Sequence, residues 1–200
     1  MDQETVRAFL SIPFSAEFKQ SADQRIQKIK LEYKNFRFLP AENWHLTLYF
    51  FGNITEEEKN KVIQALDPVA SEFNPFEVTL ESIGAFPDER KPRLIWAGVG
   101  GNIDMLTQLK KRIEQVLKKM KFPVEDRPFK PHMTIARLKA NVRSGSVHFP
   151  ATLFQDFPCE KVDSLSLMKS TLTPQGAIYE PIHSFAFKTS SGTVSKSARF

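Results

Sequence analysis

Two tetrapeptides, HLTL at 45–48 and HMTI at 132–135, each set a histidine and a threonine two positions apart inside an apolar run. In a β-strand, residues i and i+2 share a face. His45 would therefore stand beside Thr47, and His132 beside Thr134, while Leu46, Leu48, Met133 and Ile135 point into a core. A ring that titrates near neutral pH, next to a hydroxyl, can move a proton and donate a hydrogen bond to an anion. The 4 His and 11 Thr of the 200 residues predict only about 0.2 His-x-Thr pairs by chance. One pair is a matter of composition; two in matched settings form a candidate site. His148 and His183 have no such setting and read as structural.

Two imidazoles facing each other suit a displacement in which one proton is removed and another delivered. One acts as base on water, and the other, protonated, supplies the departing oxygen. The threonine hydroxyls can donate to the non-bridging oxygens of a phosphoryl group, where negative charge builds. The residues leave open which histidine takes which part. The chemistry needs no cofactor and no metal. Two imidazoles lack the carboxylate or third histidine of a zinc site, and no Asp, Glu, His or Cys lies at ligand spacing beside either motif.

The flanking sequence supplies elements to hold such a site. VRAFLSI (6–12) reads as a strand stopped by Pro13. From Ser15, the residues Phe18, Ala22, Ile26, Ile29 and Tyr33 recur at helical spacing. Thr55 and Glu58 form a capping box ahead of Val62, Leu66, Val69 and Phe73. PFEVTLESIGAF (75–86) and RLIWAGV (93–99) read as a hairpin. Asn102 caps a helix striped by Ile103, Leu106, Ile113, Leu117 and Met120. SLSLMKSTL and IYEPIHSFAF form a second hairpin in which Pro181 marks an edge or a bulge, and a polar tail from Thr189 to Phe200 is expected to fray.

His45 and His132 are 87 residues apart, and VTLESIGAFP from Val78 aligns with LSLMKSTLTP from Leu165 at the same offset. Arg7 and Arg93, in the strands preceding each motif, lie 86 apart. The chain thus reads twice as strand, helix, His-x-Thr strand, connecting segment, strand. This predicts a single bilobal α+β domain over 1–188, with internal repeats at about 6–90 and 92–187 and a tail at 189–200. Two pseudo-symmetric, antiparallel-leaning sheets with outer helices would oppose the histidines across a central cleft.

Composition sets the outer bounds. With 41% apolar and 26% charged residues the chain can bury a core. Its one cysteine, Cys159, excludes an internal disulfide framework and reads as a buried thiol in a reducing compartment. No signal segment or membrane-length apolar run is present, so a cytoplasmic protein without membrane association is expected. The net charge of +5 permits a polyanionic partner but discriminates little. The lysines and arginines at 110–112 and 118–121 are read as a solvated helix face, whereas those at 90–93 and at Arg127 and Lys130 lie in loops near the second motif.

From RAFLSIP through RFLPAENWHLTLYFFG, GAFPDERKPRLIWAGV and RPFKPHMTIAR to STLTPQGAIYEP, the chain resembles the two-histidine phosphoesterases. The resemblance is closest to the RNA 2',3'-cyclic phosphodiesterase branch, also called 2'-5' RNA ligases. It departs from that pattern at Trp44 and in the polar tail. The resemblance implies the bilobal two-histidine phosphoesterase fold and a metal-free hydrolase acting on RNA termini or cyclic nucleotides, with no obligate protein partner. A ribose 2',3'-cyclic phosphate would be opened to a 2'-phosphate, and the reverse reaction would form a 2',5' linkage. It further implies that His45 is the proton donor, His132 the proton acceptor, and Thr47 and Thr134 the phosphate ligands. Arg137 and Phe50 hold places where the family contacts phosphate or base. Both lie five residues past their histidine, an odd offset that aims a regular strand's side chain at the wrong face unless a bulge intervenes. Tyr49 and Phe51 satisfy the parity and are rivals for base stacking. Cleavage of 2',5'-linked oligonucleotides, and RNA-end binding without catalysis, are the alternatives.

Overall fold

The computed structural model describes residues 4–174 and 176–188; the tail expected at 189–200 lies outside them. Strand β1 (Thr5–Pro13) ends on its proline as expected, and Ser15 caps α1 (Ala16–Arg25) by accepting a hydrogen bond from the Phe18 amide at 3.2 Å. The single helix expected as far as Tyr33 is broken at Ile26 (φ −90°, ψ 6°), where α2 (Gln27–Glu32) begins. The break keeps Ile26 and Ile29 in the core, while the Tyr33 hydroxyl donates to the His148 carbonyl at 2.8 Å.

Strand β2 (Phe36–Phe38) and a 3-10 turn (Ala41–Asn43) lead into β3 (His45–Thr55). The capping box then starts α3 (Glu56–Ala70): the Glu58 amide donates to Thr55 Oγ1, and the Thr55 amide to Glu58 Oε2. Phe73 lies past the helix end yet remains buried, because the chain turns tightly with the Phe73 amide on the Ala70 carbonyl. Next come β4 (Phe76–Phe86), β5 (Leu94–Gly101), α4 (Ile103–Lys119) and β6 (His132–Leu138). Three more strands follow: β7 (Glu160–Val162), β8 (Ser164–Thr173) and β9 (Gly176–Ala186).

Among the described residues, nine strands form one continuous antiparallel sheet ordered β7-β4-β5-β6-β3-β1-β8-β9, with β2 also on β6. It divides into one half of β7, β4, β5 and β6, with β2 also on β6, and another of β3, β1, β8 and β9, and the two meet at a single bridge, Leu46 to Met133. β3 begins one residue before that bridge, and beyond its start β2 takes the edge of β6, pairing Phe36 with Leu138, Arg37 with Arg137 and Phe38 with Ala136. A cleft lined by residues of both halves lies between them.

Each half draws strands from both sequence repeats, because β4 pairs with β5 and β8 with β1. The 87-residue equivalence is therefore one of places in the sheet. Pro181 meets both expectations made for it: it lies in edge strand β9, opposite Met168, where the β8–β9 register shifts. Leu46, Met133, the α3 stripe Val62, Leu66 and Val69, and the α4 stripe Leu106, Leu109, Ile113 and Leu117 share one hydrophobic core. Cys159 is exposed, against expectation. It sits on irregular chain entering the edge strand β7, where Phe157 and Val162 take the buried positions.

Candidate active site

Leu46 and Met133 are fully buried and face each other across the junction, so the residues on either side of them line up on the opposite face. Antiparallel register sets His45 across from Thr134, and Thr47 across from His132, each histidine opposite the other motif's threonine. Such pairs stand about 4.5–5.5 Å apart at Cβ, and the histidines lie on the longer diagonal of about 7–8 Å. The outer strands extend the symmetry: β1 sets Pro13 and Ser11 beside His45 and Thr47, and β5 sets Trp96 and Gly98 beside Thr134 and His132.

Both rings are tethered in the same way. His45 Nδ1 lies 2.8 Å from the Asn43 carbonyl and His132 Nδ1 2.7 Å from the Lys130 carbonyl, in each case two residues upstream. A carbonyl only accepts, so each Nδ1 carries a hydrogen and each neutral ring leaves Nε2 as its proton-accepting atom. The turn bearing Asn43 is itself held by Lys19, whose Nζ donates to the Glu42 carbonyl at 3.2 Å.

Aromatic rings enclose both histidines. Phe9 stacks on His45 with centroids 4.7 Å apart, and Tyr179 meets it edge-on at 5.2 Å. Phe86 and Trp96 flank His132 at 5.1 and 6.4 Å. Trp96 lies close over Gly84, where a Cβ would come within 2.5 Å of its ring. Phe9 and Trp96 are themselves 87 residues apart, so the offset that pairs the histidines would also have found these two rings.

The odd-offset conflict is resolved by two bulges. The β1–β3 register steps from Ser11–Thr47 to Leu10–Tyr49 and leaves Leu48 unpaired. The β5–β6 register steps from Trp96–Thr134 to Ile95–Ala136 and leaves Ile135 unpaired, at the equivalent place. Each bulge puts two consecutive residues inside and reverses the alternation beyond. Phe50 and Arg137 therefore arrive on the cleft face, with Phe50 49% exposed. The rivals turn away: Tyr49 is buried with its hydroxyl donating to the Pro123 carbonyl, and Phe51 packs on Phe122.

His45, Thr47, Thr134, Arg137 and Phe50 line one open cleft of about 790 Å³. His132 is not among its lining residues, although Thr47, which the register sets opposite it, is. His183 is tied to Asp67 at 3.1 Å, and the His148 amide donates to the Tyr33 hydroxyl, so both keep structural roles. Among the described residues no group of three or more His, Cys, Asp or Glu could hold a metal ion, and no helix is long and apolar enough to cross a membrane.

Burial pushes His45 down from 6.5 to about 4. The Asn43 carbonyl opposes the shift, and Lys19, Arg137 and His132 add to it. An unfolded chain would take up this proton near pH 6.5, the folded one only near pH 4. Stability held by neutral His45 is therefore complete above about pH 6.5 and is lost as pH falls through the window down to about 4. NMR titration of the His45 ring should give a midpoint near 4 in the free protein; a midpoint near 6.5 would mean that the aromatic enclosure leaves the ring hydrated.

The profile of the 2'-5' RNA ligase superfamily matches residues 18–172. An RNA 2',3'-cyclic phosphodiesterase of Aquifex aeolicus is 30% identical over 185 residues, spanning 91% of this chain and 97% of its own. A protein of the same name from Archaeoglobus fulgidus is 34% identical over 144 residues, 72% of this chain and 80% of that one. A crystal structure of a Thermus thermophilus protein superposes with a TM-score of 0.75 at 26% identity, over 90% of this chain and 97% of that one. The fold is also that of E. coli LigT complexed with 3'-AMP, with a TM-score of 0.66 at 22% identity over 92% and 99% of the chains.

Proposed function

This chain belongs to the 2'-5' RNA ligase superfamily, and from that membership we propose that its cleft opens ribose 2',3'-cyclic phosphates at RNA or nucleotide ends to leave a 2'-phosphomonoester. The observation that carries this reading is the paired His-x-Thr face about the Leu46–Met133 bridge, with both imidazoles fixed in the same tautomer. The phosphoryl group sits between Thr47 and Thr134, whose hydroxyls donate to its non-bridging oxygens. His132 Nε2 takes a proton from water as the water oxygen bonds to phosphorus. The bond from phosphorus to the 3' oxygen breaks, and His45 Nε2–H protonates that oxygen.

His45 is neutral in the empty cleft at neutral pH, since burial holds it at about 4. As acid it must gain its proton when an anionic phosphate arrives to offset burial and the surrounding positive charges. The tethered Nδ1–H then keeps the added proton on Nε2, facing the leaving oxygen. Run backward, the same atoms join a 2'-phosphate end to a hydroxyl.

Incubation with the four nucleoside 2',3'-cyclic phosphates in the presence of a chelator tests the proposal. The expected product is the 2'-phosphomonoester, formed at an undiminished rate. Formation of the 3' isomer would contradict the assigned leaving group, and a strict need for added metal would overturn the metal-free mechanism.

A further inference from the structure

The two histidine tethers rest on unequal supports. Ahead of His132 the neighbouring strand continues, and the Val99 amide donates to the Pro131 carbonyl at 3.0 Å. Ahead of His45 it stops, because β1 ends at Pro13, which pairs with His45 and has no amide hydrogen to offer the incoming chain. That chain is the 3-10 turn Ala41–Asn43, which buries none of its residues and has no side-chain cap. Trp44, fully buried, anchors the end that enters β3. Apart from its own internal bonds, the turn is held by two side-chain donors, Lys19 Nζ on the Glu42 carbonyl at 3.2 Å and Asn43 Nδ2 on the Ala177 carbonyl at 3.4 Å. The second is long, so the firmer hold comes from Lys19. It acts on the peptide next to the one whose carbonyl tethers His45.

Lys19 stands one turn after the Ser15 cap on α1, half-buried, and the charges of Glu160 and Glu42 favour its own against the cost of burial. Glu160 is fixed in turn, its carboxylate accepting from the Ser15 amide and hydroxyl. We propose that Lys19 is a positioning residue of the reaction: by fixing the turn, it keeps the Asn43 carbonyl on His45 Nδ1 and the ring's Nε2 directed at the leaving oxygen. The inference rests on the cyclic phosphodiesterase reading of the cleft. Without this hold the carbonyl can leave the ring, and a neutral imidazole can then carry its hydrogen on either nitrogen. Charge alone predicts the opposite effect. Burial chiefly disfavours the His45 imidazolium, and Lys19 adds to it with Arg137 and His132, so losing the Lys19 charge by itself would ease protonation of the acid and speed turnover.

Wild type, K19M and K19R are compared by turnover of adenosine 2',3'-cyclic phosphate and by nitrogen NMR of the His45 ring in the free protein at neutral pH. K19M should lose about tenfold in kcat with KM little changed, since Thr47 and Thr134 still hold the phosphate. Its ring should share the hydrogen between both nitrogens, where the wild type keeps it on Nδ1. K19R, which can donate to the same carbonyl, should restore both. A K19M rate equal to or above wild type overturns the proposal, and so does a slow K19M whose His45 keeps its hydrogen on Nδ1. If the wild type turns over no 2',3'-cyclic phosphate, the cyclic phosphodiesterase reading fails, and the ring spectra still decide whether Lys19 holds the tether. Should K19M fail to fold, K19A at this half-exposed position gives the same comparison.

Discussion

Replacing His45 or His132 with alanine should each lower turnover of a 2',3'-cyclic phosphate by about 10²- to 10⁴-fold, the usual worth of positioned acid or base assistance. Both rings are half-buried on the cleft face and lie outside the hydrophobic core, so loss of activity should come without loss of fold. Each is fixed through Nδ1 to its own backbone carbonyl, so removing one ring leaves the other in place. Groups acting in one displacement are not additive, and the double variant should fall little below the weaker single one. Turnover near normal in either variant, with the protein folded, sinks the paired mechanism. The acid assignment is checked separately by NMR: an added 2'-phosphomonoester should raise the His45 midpoint from about 4. If it leaves His45 unmoved and shifts only His132, the two roles must be exchanged.

Thr47→Val and Thr134→Val are expected to cost about 10²- to 10³-fold each, comparable to removing one donor from an oxyanion site. Valine keeps the branched shape and removes only the hydroxyl. Thr47 is exposed and Thr134 half-buried in the cleft, so the core is untouched. The loss should fall mainly on kcat, because charge on the non-bridging oxygens is greatest in the transition state. Thr→Ser at either site, which restores the hydroxyl, should recover most of the rate. A valine variant that raises KM with kcat intact would show that the hydroxyl binds substrate and transition state alike.

Much of this site can be read from local pattern. Alternation in HLTL and HMTI puts histidine and threonine on one face and the hydrophobes on the other, which is a property of strand geometry alone. The capping box at Thr55 and the Asn102 cap are equally local, each requiring only a side chain within reach of an amide three residues on. The 87-residue repeat adds that the two motifs are equivalent, and so belong to one site. Alternation also carries its own failure: it sends Phe50 and Arg137 to the wrong face and favours Tyr49 and Phe51.

The outcome there depends on Leu48 and Ile135, whose exclusion from pairing is set by the registers of β1 against β3 and of β5 against β6. Register is a relation between segments distant in sequence, and neither tetrapeptide contains it. For the same reason the enclosure of His45 by Phe9 and Tyr179, and with it the depressed proton affinity, cannot be read from HLTL: desolvation sums over atoms that β1 and β9 bring from both ends of the chain. Residue order is enough to say which side chains can do the chemistry and that they come as a symmetric pair. Which neighbours crowd each ring, which arginines share the cleft, and that Cys159 faces outward emerge only on folding, because burial and charge act through space and the chain records only order.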